Sequence, residues 1–97
     1  MSDGCNCKKF LARPITHVGR GQAPFGNEKD AILATCDLLG ECRDKYMAIH
    51  RCRACGTLWA EAPYESGQVW YQYLYPAPPT DDPVRWLNEE AMGLPND

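Results

Sequence analysis

The chain has no run approaching the ~20 apolar residues that a bilayer span requires, and Met1 to Cys7 contain no apolar segment. Neither a membrane span nor a signal peptide is therefore expected, and the expected compartment is the cytoplasm. Histidine is scarce: His17 and His50 are the whole complement of 97 residues. No Ser-His-Asp arrangement can be defended, and nothing places Glu61 with Glu65, or Glu89 with Glu90, as a general acid/base pair. A cysteine nucleophile would need Cys42 beside His17 or His50 in space. No catalytic residue is assigned, and an enzyme is not expected. Gly19-Arg20-Gly21 lacks the Gly-Lys-Ser/Thr ending of a phosphate loop and follows no clear strand. Positive charge runs out along the chain. Residues 57–97 hold Arg85 against seven Asp/Glu, whereas residues 1–56 hold nine Lys/Arg and six Asp/Glu. An acidic second half argues against a general nucleic-acid binder and fits a protein that meets a basic partner.

Six cysteines is a high count for a chain this short. In a reducing compartment they point to metal rather than to a disulfide framework. The sharpest signal is Cys52-Arg53-Ala54-Cys55-Gly56. Two residues between the cysteines turn both sulfurs toward one point, and Gly56 supplies the positive φ that carries the chain past the metal. This is half of a four-ligand site. Cys5-Asn6-Cys7 offers a second pair through a Cys-x-Cys spacing, and Cys36 with Cys42 is the alternative pair. His17 and His50 are further candidates. The pair Cys5 and Cys7 is favoured, giving Cys5, Cys7, Cys52 and Cys55. Four thiolates leave no open coordination position, so the expected cofactor is a structural zinc.

Around the knuckle the chain reads as a small α+β domain spanning 1–97. Lys8 to Ile15 is expected to be extended and closed by Pro14, and residues 16–27, with three glycines and Pro24, to be loop. A first helix is expected at about 28–39. Asn27 would be its N-cap, Glu28 and Asp30 would fill its first turn, Ile32, Thr35, Cys36 and Leu39 would share one face, and Gly40 would follow it. Cys36 on that face reads as a core residue. Strands are expected at about 45–51, 57–62 and 68–75, with a turn at Glu65-Ser66-Gly67. Pro76 to Thr80 is a stiff connector. A second helix at about 83–92 is announced by Asp82 as N-cap and Pro83 at N1, with Trp86 docking it on the sheet.

The knuckle followed by Leu58-Trp59 resembles the second knuckle of zinc-ribbon proteins over residues 45–75. The resemblance implies a three-stranded antiparallel meander, here with two flanking helices. The Cys5-x-Cys7 spacing departs from that family's usual Cys-x-x-Cys. More loosely, the small acidic chain is similar to the immunity proteins that bacteria pair with toxins. The expected function is accordingly a zinc-stabilised protein-binding module, an inhibitor or immunity protein that neutralises a basic toxin domain. Its partner surface is expected at Glu61, Glu65, Asp81 and Asp82, with Tyr71 and Tyr73 as anchors and Trp70 in the core. The alternative is a nucleic-acid-binding or transcription-associated ribbon using Lys45, Arg51 and Arg53 at the knuckle.

Overall fold

A computed structural model describes Cys5, residues 7–12, Ile15, and residues 23–66 and 69–94. His17, the glycines at 19 and 21, Pro14 and the Gly67 turn position lie outside the described residues. The elements run α1 (Cys7–Leu11), α2 (Asn27–Leu33), β1 (Cys36–Cys42), a 3-10 turn (Arg43–Lys45), β2 (Met47–Cys52), β3 (Leu58–Ser66), β4 (Val69–Pro76) and α3 (Pro83–Glu89). The strands form one antiparallel sheet in the order β1-β2-β3-β4. The architecture is α+β, as expected, but the meander has four strands rather than three, and the described helices number three rather than two.

The fourth strand comes from the second half of the expected first helix. That helix stops at Leu33 because its next turn is intercepted. Thr35 N–H and the Thr35 hydroxyl both bond the Ile32 carbonyl, at 3.2 and 3.0 Å. The Cys36 thiol reaches the same oxygen at 3.3 Å. A continued helix would have given that carbonyl to the Cys36 N–H. The chain turns instead, and Cys36 pairs across the ladder with Cys52. Leu39, expected on the helix face, lies at a register shift between Leu38 and Gly40. Gly40 is thus a strand residue and not a helix terminator. Its role is to admit α3, since a Cβ there would stand 3.0 Å from Val84 Cγ2. At the other end, Gly26 rather than Asn27 caps α2, without a side-chain bond. The N-terminal stretch is helical at Cys7–Leu11 where extended chain was expected, and it buries Cys7 and Phe10.

The strand expected at 45–51 begins two residues later. Arg43–Lys45 close a 3-10 turn, and Tyr46 takes φ 56° to bring the chain into β2. The C-terminal helix starts where Asp82 and Pro83 place it, and the Asp82 carboxylate accepts the Arg85 N–H at 3.1 Å. It ends at Glu89 rather than Met92. Lys45 Nζ donates there to the carbonyls of Leu87 and Ala91, at 2.9 and 2.7 Å, and so places a cation on the negative end of the helix. Beyond the helix, Tyr75 donates to the Met92 carbonyl and the Leu94 N–H donates to the Tyr73 oxygen.

Both faces of the sheet carry a core. One face packs Ile49, Ala60, Ala62, Tyr73 and Tyr75 against Leu87 and Ala91. The opposite face packs Cys52, Trp59 and Leu74 against Cys7, Phe10 and Ile32. The expected partner surface is divided by this arrangement. Tyr73 is 1% exposed and Tyr71 is half-buried, stacked on Phe25 at 4.6 Å. Trp70, expected in the core, is 58% exposed. Trp86 is half-buried against the core, as a docking residue should be.

Glu61 is also internal. Its two oxygens accept from Lys29 Nζ at 3.0 Å and pair with His50 Nε2 at 2.9 Å, tying α2 to the sheet. The His50 bond holds the Glu61 carboxyl below its usual 4.5, with burial opposing and Lys29 assisting. A depressed carboxyl contributes stability in full above its unfolded value and loses it as pH falls through its folded value. Glu61→Gln should therefore be less stable than the native chain at pH 7, and the gap should close below about pH 4.5. Urea unfolding of both chains across a pH series measures this, and taking the difference cancels other acid-sensitive groups. A gap independent of pH would contradict it.

Candidate metal centre

The knuckle is built by backbone bonds. Cys52 N–H donates to the Thr57 carbonyl and Gly56 N–H to the Cys52 carbonyl, both at 2.9 Å. Gly56 takes φ 79°, the conformation its position requires. Arg53 stitches the knuckle to the turn between α2 and β1. Its N–H donates to the Thr35 carbonyl at 2.8 Å, and its guanidinium reaches the carbonyls of Cys36 and Ala34 and the Asp37 carboxylate. The second pair arrives on α1, with Cys7 its first residue and Cys5 just before it. Burying Phe10 against Ile32, Trp59 and Leu74 sets α1 on the sheet. That docking delivers the sulfurs of Cys5 and Cys7 to the knuckle.

The ligand atoms of Cys5, Cys7, Cys52 and Cys55 all lie within 4.8 Å of one another. Four sulfurs about 2.3 Å from a common centre in a tetrahedron stand about 3.8 Å apart, so this cluster could hold one metal ion with small adjustment. Cys7 is fully buried, Cys52 nearly so, Cys5 is half-buried and Cys55 is exposed. The alternative pair does not assemble. Cys42 is buried in the core of the opposite face. Cys36 is on the metal side, opposite Cys52, but stays outside the cluster and donates to Ile32. His50 is held by Glu61.

Polar side chains that spacing alone did not reveal lie against the sulfurs. Trp59 Nε1 donates to Cys7 Sγ at 3.1 Å. An indole N–H can only donate, so Cys7 is the acceptor. Thr35 Oγ1 lies 3.5 Å from Cys52 Sγ and Thr57 Oγ1 lies 3.1 Å from Cys55 Sγ. The sequence signal for Thr57 was its place two residues after Cys55; Trp59 and Thr35 carried none that separates them from core and turn residues.

The sulfurs differ in how readily they ionise. Burial resists ionisation of Cys52, but the Thr35 hydroxyl and the N–H groups of Cys55 and Ala54 outweigh it and bring the thiol down to about 6. Burial pushes Cys7 well up, with the Trp59 N–H opposing. For Cys5 the Cys7 N–H favours the thiolate, yet desolvation and the sulfurs of Cys55 and Cys52 leave it raised. Binding of a metal ion by these thiols would release protons, so its affinity would depend on pH. With four sulfur ligands a tetrahedral ion has no position left for water or substrate. Comparison with protein-family models, with curated proteins and with solved structures gives no match.

Purified protein should carry one metal ion per chain, and Cys5→Ser with Cys7→Ser should abolish it, while Cys42→Ala should leave it intact. Trp59→Phe should keep the stoichiometry but weaken affinity by roughly tenfold to a hundredfold in chelator competition, because ligand orientation is lost. Full metal content in the double serine variant would refute the ligand set.

Proposed function

We propose that the protein is a zinc-stabilised protein-binding module that acts by occupying its partner, as an inhibitor or immunity protein neutralises a toxin. The observation that carries this reading is the closed four-sulfur cluster. All-sulfur tetrahedral donors favour zinc, and a closed site supports a scaffold rather than a catalyst. Thiolate ligands also fit a reducing compartment such as the cytoplasm. Among the described residues no helix is long and apolar enough to cross a membrane. The partner's basic character is proposed from the charge asymmetry, with Glu65, Asp81, Asp82, Glu89 and Glu90 all exposed in the second half.

Exposed Lys8, Lys9 and Arg51 near the metal end favour the second reading, a nucleic-acid-binding ribbon. Against it, the Arg53 side chain is already committed to Asp37 and two carbonyls.

Immobilised zinc-loaded protein should retain a basic protein at physiological salt and inhibit it, whereas the zinc-free chain should not. Labelled DNA and RNA oligonucleotides should show no salt-sensitive binding by anisotropy. Micromolar oligonucleotide affinity that falls steeply with salt and is lost in Lys8→Glu with Arg51→Glu would reverse the ranking.

A further inference from the structure

The helices cover the metal-bearing face of the sheet unevenly. Phe10 and Ile32 pack around Cys52, Trp59 and Leu74, at the end where the metal cluster sits. Further along the same face, the register sets Glu41 beside Ala48, Ala48 beside Glu61, Pro63 beside Gln72, and Glu65 beside Trp70. There the face opens into a hollow of about 420 Å³. Glu41, Ala48, Glu61 and Gln72 line it from the sheet, with Met47 at the start of β2 and Tyr46 just before it.

Two large aromatics stand in the open at this end. Tyr46 is 68% exposed and lines the hollow; Trp70 is 58% exposed and lies two residues along the strand from Gln72. Tyr46 is also the one described non-glycine residue with positive φ, at 56°. A bulky side chain in that conformation costs energy that the surroundings must hold in place. The Gln72 amide does so by donating to the Tyr46 carbonyl at 3.1 Å. The backbone that carries the ring is thereby tied to β4, and the ring itself stands exposed at the rim.

The charge on this face is mainly negative. Glu41 and Glu65 are exposed, and among the described residues neither has an ion-pair partner. Glu61 already has Lys29 and His50. Among the described residues Arg43 is the one cation lining the hollow. Aromatic rings beside free carboxylates suit a guanidinium, which stacks flat on a ring and can bond a carboxylate through two N–H groups. We propose that this uncovered half-face, bounded by Tyr46 and Trp70 and served by Glu41, is the docking surface for an arginine side chain of a partner protein. The proposal rests on the protein-binding reading above and replaces Tyr71 and Tyr73 as anchors. Like charges at Glu41 and Glu65 disfavour a second copy docking face to face, and they repel a polyanion.

The test uses the zinc-loaded full chain and two labelled peptides, one carrying three spaced arginines and one carrying glutamates in their place. The arginine peptide should bind saturably by anisotropy and shift the NMR amide signals of Tyr46, Ala48, Trp70 and Gln72; the glutamate peptide should not. Trp70→Ala and Glu41→Lys should each weaken binding by about fivefold or more, and Arg43→Glu should tighten it, with zinc content and unfolding midpoint unchanged. No shifts at these amides, or affinity indifferent to all three variants, would overturn the proposal. So would oligonucleotide binding here, or self-association in sedimentation that Trp70→Ala removes. If the protein retained in the capture experiment also binds Trp70→Ala and Glu41→Lys unchanged, this surface is wrong and the protein-binding role stands. If no protein is retained but the arginine peptide binds here, the role fails and the arginine site stands.

Discussion

Sulfurs from the two halves of the chain meet at one point, and the metal-side core is built outward from that meeting. Trp59, fully buried, bonds the sulfur of Cys7 across a separation of 52 residues. Around that contact lie Phe10, Ile32, Leu74 and Cys52. A five-residue helix such as α1 has no stability of its own, since the nucleating turn costs more than so few bonds return. Its place depends on Phe10 and on the sulfurs. A metal ion held there would convert a long, entropically costly loop closure into a fixed bond. The opposite core, under α3, has no such requirement. Its apolar contacts join all four strands and α3, and the Lys45 cap ties the 3-10 turn to α3. The two faces of one sheet are therefore stabilised by different chemistry.

How far the sequence reveals this fold depends on whether a signal is local. The knuckle could be read because its spacing and its glycine act within five residues. The start of α3 could be read because Asp82 and Pro83 both mark it. β4 was legible from its aromatic content, β2 and β3 from their places on either side of the knuckle, and the four clustered cysteines from spacing together with ligand count. β1 was not. Ile32, Cys36 and Leu39 fall at helical intervals by coincidence, and what overrides the period is the capture of one carbonyl by Thr35 and Cys36. A periodicity argument has no access to that. Nor could it decide the faces of β4, where Trp70, Gln72 and Leu74 alternate with three tyrosines. Leu74 and Tyr73 are both buried, so each face is covered for part of its length and alternation no longer separates inside from outside. Glu61 was taken for a surface acid because nothing near it in sequence announces Lys29 or His50.

The distribution of charge follows from the same construction. Arg53 and Lys29 are consumed in holding the metal-side elements together, and Lys45 in capping α3. Each is a cation that sequence counting credits to the surface of the first half. With them internalised or paired, the positive first half is less positive in practice than its composition implies. In the second half Glu61 is internal and Arg85 pairs with Glu89, but Asp81, Glu65 and Glu90 are exposed without an ion-pair partner among the described residues. Each ion pair also uses an acid, Asp37 or Glu61, so the formal net charge of −3 is unchanged and the unpaired acids of the second half are what a partner meets.

One detail at the border of the sheet has a bearing on solubility. Pro24 and Phe25 run along β4, where the Leu74 N–H donates to the Pro24 carbonyl and Phe25 bridges to Tyr73. That border is already paired for part of its length, while the other border, β1, is kinked by its register shift. A filament of stacked sheets grows only from units with two straight, vacant borders. Among the described residues the sheet offers at most one, and that one is bent. Strand-to-strand association through that border would join two molecules rather than propagate.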